Sequence, residues 1–302
     1  LSATAEALTG LGDAFGQSLA DGNTIPQLGY GVWQVEDGRW FLPGAPLGPQ
    51  YSPRELDRYD GGLMAQGPSS ELMNERFDLS RAALDAFSAR SHERAHAATR
   101  AGKFRDQMVP ITADPDDPTG PVIDSDEGIR EHIDPAKMAS LKAVFGADGR
   151  TTAANSSQIS DGAAALLIAD REYAERNGLI PRARFRALSV AAADPIIQFT
   201  AILDAAHKAL GRSGLAVEEI DLFEVNEAFA GVPLIFQREF GVPDDKLNVN
   251  GGSVALGHPL GSTGARMLTD LLCELERSGK RFGLQTVCEA TGTANATIIE
   301  RI

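Results

Sequence analysis

The stretch of residues 250–264 constrains this chain more than any other part of its sequence. It holds five glycines and one proline in fifteen residues, and so many breakers exclude a regular helix or strand. We expect tight backbone turns around one imidazole, that of His258. We also expect His258 to lie just before a helix N-terminus, where backbone N–H groups favour negative charge. That helix is predicted by an apolar stripe with spacings of three and four residues, which consists of Ala265, Leu268, Leu271, Leu272 and Leu275.

Two further motifs flank this stretch. Residues 224–230 read Glu-Val-Asn-Glu-Ala-Phe-Ala, and residues 288–292 read Cys-Glu-Ala-Thr-Gly. A single histidine in a glycine-rich loop is more often structural than catalytic, but three motifs in this order and at this spacing favour a site. Together they closely resemble the C-terminal half of the thiolase family, and the resemblance extends over residues 43–302.

The resemblance implies a set of catalytic residues. Thiolases exchange acyl groups between a cysteine thiolate and coenzyme A, and they form or break a carbon–carbon bond beside a thioester. His258 matches the histidine that activates the nucleophile and points a ring N–H at the oxyanion, and Asn226 matches the residue that holds a water there. Cys288 matches the second cysteine, which moves the α-proton, and we expect its turn beside an imidazole to lower its pKa. The backbone N–H of Ala290 matches a second oxyanion donor, although Ala290 and Thr291 replace family glycines and would be strained at positive φ.

The resemblance also implies where coenzyme A would bind, as a substrate and not as a permanently bound cofactor. Ser157 matches the serine that hydrogen-bonds the pantetheine chain, and Ala153 matches a residue of the tunnel wall. Phe229, in the Asn-Glu-Ala-Phe-Ala motif, is a further candidate for coenzyme A binding. Arg130 could meet a phosphate and Phe145 could pack on pantetheine or adenine, but a surface charge and a core aromatic are equally good interpretations of these two residues.

The implied fold is α/β, the layered thiolase fold with a loop domain and a C-terminal half, and with an incomplete N-terminal half. After residue 183 strand and helix patterns alternate, which predicts a sheet with helices packed on it. The apolar run of residues 163–169 predicts a buried strand or a buried helix segment. Four regions follow: an unassigned leader (1–45), the loop or lid domain (46–150), a remnant of the N-terminal half (151–182) and the C-terminal domain (183–302).

The cysteines depart from the family pattern. Thiolases carry the nucleophile as a Cys-Gly motif in the N-terminal half, and the two cysteines of this sequence are Cys273 and Cys288. We interpret Cys273, within the helical stripe, as a packing residue. The expectation is therefore an acyl-CoA acyltransferase with half of its active site and impaired turnover. The alternative is a non-catalytic acyl-CoA-binding or oligomer-forming subunit.

Charge, apolar runs and cysteine content limit the partners and the cellular compartment that we expect. A formal net charge of −14 argues against a nucleic-acid partner. The apolar runs are too short to span a membrane, and two cysteines in 302 residues indicate a reducing compartment, which suggests the cytoplasm. We expect an acyl-CoA substrate and a homo-oligomer. Residues 21–35 separately resemble the first strand of aldo-keto reductases, but the Tyr/Lys/His set of that family does not follow.

One helix pattern contains a possible metal-ligand spacing. Leu84, Phe87, Ser91, Ala95 and Ala98 predict the buried face of a helix. His92 and His96 lie four residues apart on it, a spacing that can bind zinc. Because no third ligand is placed nearby, we interpret the pair as part of a solvated helix surface and expect no metal.

Overall fold

The computed structural model describes residues 34–36, 39–42, 45–46, 53–59, 63–114 and 116–302. The chain divides into two compact units, which are residues 1–62 and residues 63–302. The stretch that resembles aldo-keto reductases lies outside the described residues except for its last two positions, and so does most of the leader.

The described part of the first unit is a small antiparallel sheet and a short helix. Gln34 of the first strand lies opposite Phe41, and Phe41 of the second strand lies opposite Pro46. The elements are β1 (Gln34–Glu36), β2 (Arg39–Leu42), β3 (Ala45–Pro46) and α1 (Pro53–Arg58).

The second unit opens with helices whose starts are set by local sequence. The side chain of Ser80 accepts a hydrogen bond from the Ala83 N–H at 3.2 Å, which caps the long helix α3. Asp134 caps α4, and Pro135 occupies its first turn, where no N–H partner is needed. The elements are α2 (Gln66–Arg76), α3 (Arg81–Arg100), β4 (Ile111–Thr112), β5 (Val122–Ile123), α4 (Pro135–Ser140) and α5 (Arg171–Arg176).

The buried face of α3 is confirmed, but the prediction for one of its histidines is wrong. His92 is only 4% exposed and therefore does not belong to a solvated helix surface. The backbone of Arg130 covers it, and the Arg130 N–H donates to His92 Nδ1 at 3.1 Å. His96 remains partly exposed, with Nε2 3.8 Å from an oxygen of Glu131. Within the described residues, no group of three His, Cys, Asp or Glu side chains is placed to hold a metal ion.

A four-stranded mixed sheet forms the centre of the C-terminal part. Its strand order is β6-β9-β8-β7, in which β7 and β8 are parallel and the other pairs are antiparallel. Because β7 and β8 are parallel, their carboxyl ends lie at the same edge of the sheet, and residues at these two ends come close together. The elements are β6 (Ala183–Ala192), α6 (Ala201–Ser213), β7 (Leu222–Val225), α7 (Gly231–Phe240), α8 (Ser253–Leu256), α9 (Thr263–Ser278), β8 (Phe282–Glu289) and β9 (Thr293–Arg301).

The sheet has helices on both faces. Phe223 and Val225 of β7 join the large core that contains α6 and α7. Leu222 packs instead with Leu271 and Leu275 of α9. Because side chains alternate along a strand, Glu224 is expected on the α9 side, and Asn226 continues that direction just past the strand end. Polar groups after β7 are thereby directed toward the beginning of α9.

A buried carboxylate joins α3 to the C-terminal elements. Glu227 is fully buried, and its oxygens accept three hydrogen bonds. Ser91 Oγ donates at 2.7 Å, Asn248 Nδ2 at 2.8 Å and the Val254 N–H at 3.0 Å. Burial raises the pKa of Glu227, and the three donors oppose that rise. The carboxylate therefore connects a helix, a loop and the start of α8 at one point.

The apolar run of residues 163–169 is neither a strand nor a helix, so that prediction is wrong. The segment is irregular, and Leu167 is 84% exposed. Within residues 116–302 no strand pairs with this segment, and six of its seven residues are exposed. No helix among the described residues is long and apolar enough to cross a membrane.

Candidate active site

Three elements bring the predicted catalytic residues together. Asn226 follows the last residue of β7, and Cys288 lies near the end of β8. Since the strands are parallel, with Val225 opposite Thr286, both residues reach the same sheet edge. His258 arrives from the glycine-rich loop between α8 and α9. Its backbone N–H donates to the Gln158 carbonyl at 3.2 Å, which fixes the loop at that point.

The three side chains form one cluster centred on an amide. Asn226 Nδ2 lies 3.3 Å from His258 Nε2 and 4.0 Å from Cys288 Sγ. Asn226 is 1% exposed and Cys288 8%, whereas the imidazole is partly exposed. Asn226 is 32 positions from His258 and 62 from Cys288 in the sequence, so the fold, and not chain proximity, gathers these residues.

The hydrogen bonds of His258 decide which ring nitrogen carries the proton. Thr263 Oγ1 lies 2.9 Å from the Pro259 carbonyl, which can only accept, so the threonine proton points there. The threonine oxygen must then accept from His258 Nδ1, at 2.7 Å. Nε2 is left with its lone pair facing Asn226 Nδ2, which can only donate. The expected N–H toward an oxyanion is therefore absent from the neutral ring and requires Nε2 to take up a proton.

The electrostatics of the cluster favour neutral side chains. Burial, together with the positive charge of Arg266, lowers the pKa of His258 to about 4. Burial raises the pKa of Cys288 to about 12, although the Asn226 amide opposes the rise. The expectation of a lowered cysteine pKa is wrong because the thiol lies within a covered strand and not in an open turn. A neutral thiol suits a proton donor, and a neutral imidazole suits a proton acceptor.

The turn after Cys288 is strained where a family glycine is replaced. Residues Ala290–Gly292 form a 3-10 turn, in which Thr291 has φ 62° and ψ 26°. A β-branched residue seldom adopts this left-handed conformation. The strain thus lies at Thr291, while Ala290 does not have a positive φ. The Thr291 N–H donates to Gln198 Oε1 at 3.2 Å, which holds the turn.

The proposed coenzyme A residues fall into two groups, the first of which lies close to the cluster. The Ser157 N–H donates to the Ala228 carbonyl at 3.0 Å, and Phe229 packs edge-on against Phe199, with ring centroids 5.4 Å apart. Ser157 also precedes Gln158, whose carbonyl accepts from the His258 backbone.

The second group lies at the surface. Phe145 is 39% exposed and lies beside Gly67, so the core interpretation of this aromatic does not hold. Ala153 is exposed, and so is Arg130. These positions are open to a ligand, and their role in binding stays a prediction.

Sequence patterns missed the groups that support the cluster. Ser253 Oγ donates to Asn226 Oδ1 at 2.7 Å, and Arg266 Nη2 lies 3.2 Å from the same serine oxygen. Ser253 stands inside the glycine-rich stretch, and Arg266 stands in the first turn of the following helix. Their spacing in the sequence gives no sign of contact, because the contact arises from the packing of α8 against α9.

The low pKa values of His92 and His258 predict that acid destabilises the fold. Burial lowers the pKa of His92 to about 4, as it does for His258. Between the ordinary pKa of 6.5 and about 4, the unfolded chain binds protons at these rings and the folded chain does not. The free energy of unfolding therefore falls as pH drops through this window, by about 3 kcal/mol for each ring.

The measurement is urea unfolding at pH 7 and at pH 4.5. His92→Asn keeps an acceptor for the Arg130 N–H and removes the titrating ring, so its loss of stability on acidification should be smaller than that of the parent. His207→Asn, at a surface ring beside Glu239, serves as the control. Equal losses in the parent and in His92→Asn would contradict the assignment.

Comparison with known proteins gives the context of this cluster. The family model "Thiolase, N-terminal domain" matches residues 56–172, and "Thiolase, C-terminal domain" matches residues 179–301. The steroid 3-ketoacyl-CoA thiolase FadA6 of Mycobacterium tuberculosis is 47% identical over 247 residues, which are 82% of this chain and 59% of that protein. A 3-ketoacyl-CoA thiolase of Serratia proteamaculans is 43% identical over 245 residues, 80% of this chain and 63% of that protein. The chain thus spans about three fifths of the length of these relatives.

Solved structures agree in fold. The acetyl-CoA acetyltransferase of Bacillus anthracis superposes with a TM-score of 0.78 at 34% identity, covering 89% of this chain and 68% of that chain. The human mitochondrial 3-ketoacyl-CoA thiolase in complex with CoA gives a TM-score of 0.72 at 31% identity, covering 78% and 58%. The resemblance drawn from the motifs and the α/β thiolase-like fold class are both confirmed. The chain belongs to the thiolase family.

Proposed function

We propose that this chain is part of an acyl-CoA acyltransferase of the thiolase type, which cleaves 3-ketoacyl-CoA or condenses acetyl-CoA. The observation that carries the proposal is the Asn226 amide placed between His258 Nε2 and Cys288 Sγ. The names of its relatives and the CoA complex of a structural neighbour support the acyl-CoA substrate class.

The protonation states of the cluster suit the cleavage direction. A thiolate, which neither cysteine of this chain is placed to supply, attacks the 3-keto carbon of a 3-ketoacyl thioester and takes the acyl group. The electron pair of the broken carbon–carbon bond leaves on the α-carbon of the acetyl-CoA enolate. That carbon needs a proton, and Cys288 holds one because burial raises the pKa of its thiol to about 12. The thiolate left on Cys288 is then reprotonated from solvent or from an incoming thiol. Condensation runs the same transfers in reverse.

In the same step, His258 stabilises the enolate oxygen. Its Nε2 lone pair takes the proton of the attacking thiol, and the new N–H is donated to the enolate oxygen. Negative charge on that oxygen favours the imidazolium, which offsets the burial that otherwise keeps the ring neutral. Asn226 supplies the neighbouring amide hydrogen to a water or directly to the oxygen.

A second candidate function is a non-catalytic acyl-CoA-binding subunit. It is favoured by the positions of the two cysteines of the sequence. Cys273 lies on α9, where Arg182 Nη2 donates to its sulfur at 3.4 Å, and Cys288 is the α-proton residue. Neither cysteine is placed as the acyl-accepting nucleophile. We therefore expect intact-protein mass spectrometry to show no acyl adduct on this chain after incubation with acetyl-CoA.

The test is exchange of the α-protons of acetyl-CoA with solvent deuterium, followed by mass spectrometry. Cys288→Ala should reduce the exchange to the background of buffer, because the group that takes up the α-proton and returns a deuteron is gone. Cys273→Ala is the matched control, since it removes the other buried thiol of the same chain. Calorimetric binding of CoA is measured in parallel for all three proteins.

The outcomes separate the candidates. Exchange that depends on Cys288 and not on Cys273 supports the acyltransferase. CoA binding without exchange in the parent supports the binding subunit. A parent that neither binds CoA nor exchanges protons contradicts both functions.

The remaining expectations from the sequence belong to this proposal. Coenzyme A acts as a substrate and is not held as a permanent cofactor, the chain assembles as a homo-oligomer, and it works in the cytoplasm. Analytical ultracentrifugation tests the assembly.

A further inference from the structure

The amide of Asn226 has two different ends, and its function depends on which end faces the site. An asparagine side chain turned by half a rotation fills nearly the same volume with oxygen and nitrogen exchanged. The end near His258 and Cys288 is Nδ2, a donor. With Oδ1 at that position instead, the amide oxygen would face the lone pair of His258 Nε2, and two acceptors would then lie against each other. The lone pair of His258 Nε2 therefore favours the donor end, and a partner at the other end of the amide either reinforces or opposes this preference.

Ser253 is the group in contact with the other end of the amide. Its Oγ lies 2.7 Å from Asn226 Oδ1, and both residues are buried. A serine hydroxyl alone does not select an orientation, because it can donate to an oxygen or accept from a nitrogen. The direction of the Ser253 proton therefore has to be fixed by a further neighbour.

Arg266 fixes that direction. Its Nη2 lies 3.2 Å from Ser253 Oγ, and a guanidinium can only donate. The serine oxygen accepts from Arg266 and keeps a second lone pair. Within the described residues, Asn226 Oδ1 is the acceptor in hydrogen-bond contact with this buried hydroxyl, so the serine proton is donated there. A nitrogen at the Oδ1 position would meet a second donor there. Arg266 thus acts on the amide through Ser253, without touching it.

Arg266 is itself held in place on its own helix. Nη1 donates to Asp270 Oδ2 at 3.0 Å, one turn further along α9. The other oxygen of Asp270 accepts from Gln107 Nε2. With the serine proton donated to Asn226, each hydrogen bond in the series from carboxylate through guanidinium, hydroxyl and amide to imidazole joins one donor to one acceptor.

We propose that Ser253 and Arg266 are positioning residues, which orient the Asn226 amide so that its NH₂ group faces His258 and Cys288 and the Nε2 lone pair of His258 faces the amide. The orientation itself is a property of the fold. Its effect on catalysis rests on the proposed acyltransferase function. Neither residue touches the reacting atoms.

The test reads the amide directly by NMR on the full chain labelled with ¹⁵N-asparagine. In the parent, the Asn226 NδH₂ protons should show nuclear Overhauser signals to the His258 ring, identified by their absence in His258→Gln. Ser253→Ala removes the donor to Oδ1 and should weaken these signals by at least half as the amide populates both orientations. Ser88→Ala is the matched control, a buried serine whose hydroxyl donates to the Leu84 carbonyl in α3.

Two further variants distinguish an effect on the orientation of the Asn226 amide from a loss of the Arg266 charge and from a failure to fold. Arg266→Lys keeps the positive charge but lacks the fork that reaches both Asp270 and Ser253, so its Overhauser signals should weaken as they do in Ser253→Ala. Ser253→Thr keeps the hydroxyl and should retain the signals. The backbone ¹H–¹⁵N spectrum of each variant reports whether it is folded.

The same proteins are then assayed for α-proton exchange of acetyl-CoA. Ser253→Ala should lower the turnover of exchange by about tenfold with little change in KM, as expected when a supporting partner is removed.

Overhauser signals that persist in Ser253→Ala overturn the proposal. Signals that weaken in Ser253→Ala but persist in Arg266→Lys overturn the role assigned to Arg266. Signals that weaken in both variants, with no exchange in the parent, support the positioning role and contradict the proposed function instead. Weakened signals with an unchanged exchange rate overturn the catalytic part.

Discussion

Replacing His258 with alanine should slow α-proton exchange of acetyl-CoA by about 10²–10³-fold, equivalent to roughly 3–4 kcal/mol in the barrier. Two contributions disappear with the ring. The Nε2 lone pair no longer takes up a proton within the cluster, and no N–H is then available for the enolate oxygen. The Asn226 amide, 3.3 Å from Nε2, also loses its partner.

Stability should respond much less than activity. The ring is partly exposed, and its bond to Thr263 contributes about 1 kcal/mol. His207→Ala is the control, because that ring lies at the surface beside Glu239 and outside the cluster. Deuterium incorporation into acetyl-CoA measures the rate, and urea unfolding measures stability. An exchange rate in His258→Ala within about threefold of the parent would remove the ring from the mechanism.

The second large effect concerns the fold, at Gly251. This glycine has φ +84°, and a Cβ added there would lie 2.6 Å from the Ser91 carbonyl oxygen and 2.8 Å from Ala95 Cβ. The first obstacle is backbone of α3, which cannot move aside as a flexible side chain can. Gly251→Ala should therefore lower the free energy of unfolding by about 3 kcal/mol, from left-handed strain and overpacking together.

Gly214→Ala separates the two causes. Gly214 has φ +71° at the end of α6, but nothing lies within 4 Å of an added Cβ. It should cost about 1 kcal/mol, the strain alone. Thermal melts of both variants provide the comparison, with a fall of about 8 °C expected for Gly251→Ala. Equal falls in melting temperature in the two variants would show that a Cβ at position 251 does not clash with α3.

The candidate cluster could be predicted from sequence because much of its geometry is encoded locally. The glycines around His258 force turns, and the strands that lead to Asn226 and Cys288 end at one sheet edge once the sheet is assumed. The left-handed strain at Thr291 was also foreseeable, because threonine replaces a family glycine there and seldom adopts a positive φ.

Other properties depend on contacts between distant segments. The raised pKa of Cys288 follows from the cover over β8, and the burial of His92 follows from a loop 38 residues away. Ser253 and Arg266 meet only when α8 and α9 pack together. The prediction for segment 163–169 is wrong for a related reason: its apolar composition favours burial, but composition does not say what covers it.

The buried carboxylate of Glu227 has a consequence for how the chain unfolds. It accepts from Ser91, within the region matched by the N-terminal family model, and from Asn248 and Val254, within the C-terminal one. Separating the two regions would take Ser91 away from Glu227 and leave a buried carboxylate without one of its three donors. Residues on either side should therefore open together, and slowly exchanging amides of α3 should share the protection of those in β7 and β8. We therefore expect the boundary between the two family models to divide the sequence and not the cooperative unit of unfolding.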